Sequence, residues 1–250
     1  MRYRVRGVDI RTENAAKPHL QQSKAVARYL KQLNRVEAIV DFGCGKLRYA
    51  DLVSKVGKRA TFIDSEIQLT RQQRVRGKMS TVTEVALTRY SNVKVLASEN
   101  LNFLAERYDI ATCINVLSVI PDGSALNRVL KAIRRLTKPT GFAVFVNQHR
   151  NTYFKKFEEG RPHLFGHLVE GRNGASYYGI MTKERVEDLL RKAGFSIRRS
   201  WNEGEINFVE AFPRQASALH PGKRAGSRQR NRVRRRPVRV RRRQKQTASA

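Results

Sequence analysis

Residues 36–50 read VEAIVDFGCGKLRYA, and they decide the fold. A β-branched run, Val36 to Phe42, suits a strand buried on both faces. An aspartate closes the apolar run, two glycines follow one residue apart, and helical spacing resumes through Tyr49, Val53 and Val56. A side chain at Gly43 or Gly45 would stand between the backbone and anything lying over the bend. Glycine removes that obstacle and permits unusual dihedrals. The pattern therefore predicts strand, tight turn, helix, with the backbone closely approaching a nucleotide-like ligand.

Outward from this stretch, helix and strand signals alternate. Upstream, Val26, Tyr29, Leu30 and Leu33 fall at helical spacing. Downstream, RATFID is a second strand ending at Asp64, two polar basic helices follow, and NVKVLA is a third strand. YDIATCINVL is a fourth. Ser124 is placed to cap a helix carrying Leu126, Val129, Leu130 and Ile133, which KPTG breaks before a fifth strand, FAVFVN. Thr182 caps a helix ending at Gly194, and FSIRRSW and INFVEAF form a hairpin around Asn202, Glu203 and Gly204. Five strands separated by helices imply a parallel sheet with right-handed crossovers. The closing pair is too tightly connected for a crossover and must be antiparallel. The fold class expected is α/β: a doubly wound, mostly parallel seven-stranded sheet with an antiparallel C-terminal hairpin and a disordered basic tail. In such sheets ligands bind beyond the carboxyl ends of the strands, where strand order reverses.

Composition sets the boundaries. The chain has 250 residues, 40% of them apolar, enough for one well-buried domain with appendages. The organisation expected is a helical segment over 1–35, the main domain over 36–213 with a lid or acceptor-pocket insert at 151–181, and a tail over 214–250. Two cysteines, Cys44 and Cys113, exclude a disulfide framework and a four-thiolate zinc site. No metal is expected. No apolar stretch reaches the roughly 18 residues that span a bilayer, and MRYRVRGVDIRTEN lacks a secretory apolar segment, so a cytoplasmic protein is expected. The formal charge is +30. Residues 214–250 hold 14 of the 51 basic residues and none of the 21 acidic ones, so the body alone is strongly cationic. The tail reads either as an arm that pairs arginine with nucleic-acid phosphate or as a solvated, self-repelling segment.

The candidate site has two carboxylates. Asp64, about 21 residues beyond the first glycine, can accept hydrogen bonds from both hydroxyls of a ribose. Asp41 either receives a cationic ligand group or satisfies the turn's N–H groups. A dinucleotide fingerprint, G-x-G-x-x-G, would need glycine where Arg48 stands, and a pyrophosphate is ill placed beside Asp41.

With these residues in view, the sequence resembles the class I S-adenosylmethionine-dependent methyltransferases over roughly residues 36–212. DFGCGKL keeps Asp41, Gly43 and Gly45 of the family's D/E-x-G-x-G-x-G turn and has Leu47 at the last glycine. The resemblance implies S-adenosylmethionine as cofactor, with Asp64 on the ribose, Ser98 and Glu99 near adenine, and Asn115 facing the methionine end. A sulfonium already makes the methyl electrophilic, so the protein must align an acceptor and exclude water. A base is needed only for an acceptor that keeps its proton. His149, just past the fifth strand, is the candidate, with His163 and His167 behind it. Tyr153, Phe154, Tyr177 and Tyr178 of the insert either stack on a planar acceptor or pack a small core. The loop after the fourth strand, NVLSVIP, lacks the N/D-P-P-Y/F pattern of base-amine methylases, and neither cysteine follows proline. Three functions stay open: a small-molecule methyltransferase, one acting on nucleic acid or its associates, and a non-catalytic cofactor-binding module tethered to nucleic acid.

Overall fold

A computed structural model of the chain describes residues 2–148, 157–171 and 174–214. His149, Tyr153, Phe154 and residues 215–250 lie outside the described residues.

The strands are β1 (Arg2–Val5), β2 (Val8–Arg11), β3 (Val36–Phe42), β4 (Gly57–Asp64), β5 (Gln73–Val75), β6 (Lys78–Ser80), β7 (Val93–Ala97), β8 (Tyr108–Ile114), β9 (Thr137–Gln148), β10 (Arg161–His163), β11 (Gly166–Gly171), β12 (Gly174–Gly179), β13 (Phe195–Glu203) and β14 (Ile206–Pro213). The helices are α1 (Lys24–Gln32), α2 (Ala50–Val56), α3 (Glu66–Thr70), α4 (Val82–Arg89), α5 (Gly123–Leu136) and α6 (Lys183–Lys192). The main sheet has seven strands in the order β13-β14-β9-β8-β3-β4-β7. β7, β4, β3, β8 and β9 are mutually parallel, while β14 pairs antiparallel with β9 and β13. Chain order runs outward from β3 to β4 and β7, then jumps back to β8 on β3's other side. The strand order therefore reverses between β3 and β8, at the carboxyl end where the glycine turn begins.

The core lies on both faces of this sheet. On one face Val40, Phe42, Cys113 and Phe145 pack with Leu126, Val129, Leu130 and Ile133 of α5 and with Val186 and Leu190 of α6. On the other, Ile39, Phe62, Val144 and Phe208 pack with Val26 and Leu30 of α1 and Val53 of α2. Cys113 is a fully buried core residue, as its strand position implies.

The structure corrects several local expectations. The helical reading of residues 1–35 holds for α1, capped by Ser23, but β1 and β2 form an antiparallel hairpin ahead of it. The two basic helices expected after Asp64 are α3 and α4, separated by the small β5–β6 hairpin. Asp122, not Ser124, caps α5, its Oδ1 accepting from the Ala125 N–H at 2.6 Å. KPTG does not separate α5 from a short strand: α5 ends at Leu136 and β9 begins at Thr137. The insert supplies β10, β11 and β12, which join β1 and β2 in a second sheet ordered β1-β2-β12-β11-β10. Ile10, Leu168, Ala175 and Tyr177 form its own buried cluster.

Candidate active site

The glycine turn is built by backbone geometry. Gly43 and Gly45 have φ of +82° and +56°, the left-handed region that glycine enters at no steric cost. A Cβ on Gly43 would stand 2.2 Å from Val116 Cγ2, so the turn and the loop after β8 approach as closely as atoms allow. Gly43 and Cys44 both donate their N–H to the Ile63 carbonyl, which pins the turn to the end of β4. Leu47, where the family pattern has a third glycine, adopts φ +59° and buries its side chain at 1% exposure. The backbone shape is kept there and leucine packing offsets the strain.

Around this turn lies a cleft that opens to solvent. Asp41, Gly43, Gly45, Asp64, Ser98 and Asn115 all line it. Glu99 does not: its Oε2 accepts from the Glu66 N–H at 3.1 Å and the Ser98 hydroxyl at 3.0 Å, so it steadies the rim.

Asp41 is 5% exposed, and Thr112 Oγ1 donates to its Oδ1 at 2.6 Å. Burial pushes its pKa up to about 6, against the Thr112 bond and with help from the nearby Asp64 charge. Asp64 accepts from the Gly45 N–H through Oδ2 and from the Ser65 N–H through Oδ1, each at 2.8 Å. Burial raises its pKa too, and these two backbone bonds oppose the rise. Each carboxylate oxygen has a second lone pair, so both can still accept from a ligand hydroxyl. Asn115 sits at φ +58°, and its Oδ1 accepts the Gln148 N–H at 2.9 Å, tying the ends of β8 and β9 together beneath the cleft.

The roof comes from residues that sequence reasoning missed. Tyr3 of β1 and Thr12, Glu13, Ala15, Ala16 and Lys17 also line the cleft. Thr12–Ala15 is a single 3-10 turn, and Arg71 Nη2 donates to the Glu13 carbonyl at 2.7 Å, holding it over the glycine bend. The period-two alternation of Tyr3 and Val5 with arginines was the signal for β1. Burial, with Asp122 next, raises the Tyr3 phenol to about 12.

The histidines of the insert face elsewhere. His163 Nε2 lies 2.7 Å from the Pro121 carbonyl, and His167 Nδ1 lies 3.1 Å from the Gly160 carbonyl. Tyr177 packs in the second sheet's buried cluster, Tyr178 donates its hydroxyl to the Gln148 carbonyl at 3.4 Å, and neither lines the cleft. Among the described residues, no cluster of three or more His, Cys, Asp or Glu is placed to hold a metal.

A family model described as a methyltransferase domain matches residues 14–200. The chain belongs to this methyltransferase family. Uncharacterized protein YmfD of Escherichia coli K12 is 37% identical over 210 residues, covering 84% of this chain and 95% of that one. A ubiquinone biosynthesis O-methyltransferase of Bordetella avium is 32% identical over 113 residues, covering 45% of this chain and 43% of that enzyme. Among solved structures, the DhpI-SAM-HEP complex superposes with a TM-score of 0.58 at 13% identity, over 81% of this chain and 91% of that one. The Burkholderia thailandensis 1,6-didemethyltoxoflavin-N1-methyltransferase, crystallised with S-adenosylhomocysteine, superposes with a TM-score of 0.53 at 17% identity, over 78% of each chain. The seven-stranded sheet is thus the fold of S-adenosylmethionine-dependent methyltransferases. No helix among the described residues is long and apolar enough to cross a membrane.

Proposed function

We propose that the cleft binds S-adenosylmethionine and that the protein transfers its methyl group to an acceptor nucleophile. One observation carries the reading: two carboxylates, Asp41 and Asp64, share the floor of a cleft at the point of strand reversal, beside a turn of two positive-φ glycines. Burial disfavours both charges, and a cationic ligand relieves that cost. This donor set suits an ammonium or sulfonium and repels a pyrophosphate. Asp41 takes the cationic amino-acid end, and Asp64 takes the ribose hydroxyls with the lone pairs its two backbone bonds leave. Ser98 borders the adenine, and Asn115 closes the floor at the methionine end. When bound, the cofactor supplies an electrophilic methyl.

The chain's own contribution is positioning. Tyr3 and five residues between Thr12 and Lys17 wall the cleft, and the close approach of Gly43 to Val116 fixes the bend. No histidine among the described residues lines the cleft. Glu13, 5% exposed, is the carboxylate of the roof, and Arg2 Nε lies 3.3 Å from its Oε1. Isothermal titration with S-adenosylmethionine tests the cofactor assignment. Wild type binds, Asp64→Ala binds at least tenfold more weakly, and equal binding would refute the ribose role. Labelled cofactor with fractionated extract then identifies the acceptor.

A further inference from the structure

The outer face of the β1–β2 hairpin lies away from the buried core. Alternation along β1 turns Tyr3 and Val5 inward and Arg2 and Arg4 out to solvent. On β2, Val8 and Ile10 turn inward while Asp9 and Arg11 face out. The register sets Arg2 directly across from Arg11 and Arg4 across from Asp9. Arg6, in the connecting turn, is exposed and reaches the Pro162 carbonyl at 3.4 Å. Four arginines and one aspartate therefore occupy one small hairpin face.

Arg2 pairs with Glu13 and Arg4 stands across from Asp9, but Arg2 and Arg11 are opposed. Like charges directly across a ladder are destabilising by a few tenths of a kcal/mol or more. Protection of an exposed sheet edge accounts for charge on β1, the edge strand. It does not account for Arg11, because β2 has a neighbour on each side. The face also leads to the cleft. Arg2 Nε lies 3.3 Å from Oε1 of the cleft residue Glu13, and Arg11 immediately precedes the roofing turn. At the mouth, Lys46 lines the cleft close to Arg71, and burial together with the Arg71 charge lowers its pKa.

We propose that the outer face of the β1–β2 hairpin binds the phosphodiester backbone of a nucleic-acid strand and leads it across the rim to the cleft. Arginine suits this task because its planar fork pairs with phosphate through two hydrogen bonds. A strand of anionic charge relieves the repulsion between Arg2 and Arg11, which stand directly opposite. The proposal places nucleic-acid contact on the folded body, separate from residues 215–250. It draws on the methyltransferase reading only for what the strand is brought to, and its test contains no cofactor.

The test uses the full-length chain and fluorescence anisotropy with labelled single-stranded RNA and DNA of about 20 nucleotides, across a salt series. The variant Arg4→Gln/Arg6→Gln/Arg11→Gln removes three exposed charges that lie outside the cleft. The expected result is a fall of about 2 in the slope of log K against log salt, and at least a tenfold loss of affinity at low salt. The corresponding triple lysine variant retains the slope. A melting midpoint no lower than that of wild type shows that the fold remains intact. Arginine dependence with either oligonucleotide supports the proposal. An unchanged slope and affinity on both overturns it. So does arginine-dependent binding to phosphatidylglycerol vesicles without arginine-dependent binding to either oligonucleotide, which assigns the face to a membrane surface.

Discussion

Replacing Asp41 with asparagine separates stability from ligand binding. The amide is nearly isosteric and still accepts the Thr112 hydroxyl, now at 2.6 Å from Asp41 Oδ1. What it removes is a carboxylate whose pKa rises from 3.8 to about 6 in the folded chain. Each pKa unit corresponds to about 1.4 kcal/mol, so the ionised group opposes folding by up to about 3 kcal/mol near neutral pH. The sign follows from proton binding. The folded state holds the proton more tightly than the unfolded chain, so wild type gains stability as pH falls from above about 6 towards 3.8, and loses it as pH rises. Asp41→Asn lacks this dependence. Urea denaturation without cofactor should therefore show the variant more stable than wild type at about pH 8, with the gap closing towards pH 4. For a domain of this size that gap corresponds to roughly 6–12 °C in melting midpoint. Isothermal titration should show the opposite trend, with affinity for S-adenosylmethionine reduced at least tenfold. A variant less stable than wild type at pH 8, or one with undiminished cofactor affinity, refutes the reasoning.

Other outcomes follow from the same geometry. Cofactor affinity of the wild type should fall as pH drops below about 6, because protonating Asp41 removes the partner of a cationic ligand; titration calorimetry across pH checks this. Asp64→Ala should also lower stability by about 1–3 kcal/mol, since the Gly45 and Ser65 N–H groups lose their acceptor; denaturation of the cofactor-free protein measures it. Gly43→Ala sets a Cβ against Val116 at positive φ, and should lower the melting midpoint by several degrees. Adding Val116→Ala should recover part of that loss, and a double-mutant cycle with no coupling would sink the contact argument. Leu47→Gly relieves about 1–2 kcal/mol of left-handed strain but forfeits about 2–5 kcal/mol of buried leucine, so the net effect on denaturation is a loss.

The main sheet was legible because its information is local. Each strand is a short apolar run beside an amphipathic helix, and one glycine-containing turn after β3 marks where strand order reverses. Asp41, Gly43, Gly45 and Asp64 line the cleft because all four sit at strand ends or in that turn, where sequence position dictates spatial position. Asn115 follows for the same reason. The roof was not legible. Tyr3 and Glu13 reach the cleft through a sheet whose third strand, β12, arrives near the end of the body. No local pattern announces a pairing at that separation. Glu99 fails as a cleft residue because a neighbouring helix start draws its carboxylate away. The insert's aromatics were equally open between stacking and packing, and the pairing of β12 with β11 and β2 commits Tyr177 to packing.

That long-range pairing sets a schedule for biosynthesis. β2 meets β12 at a single position, Ile10 with Ala175. At ribosomal speeds of about 5–20 residues per second, the early hairpin waits roughly 8–33 s for its neighbour to be made. Until then Tyr3 and Glu13 have no finished sheet to hold them. A nascent chain can complete the glycine bend well before it acquires a roof, so durable cofactor capture belongs to the last stage of its synthesis.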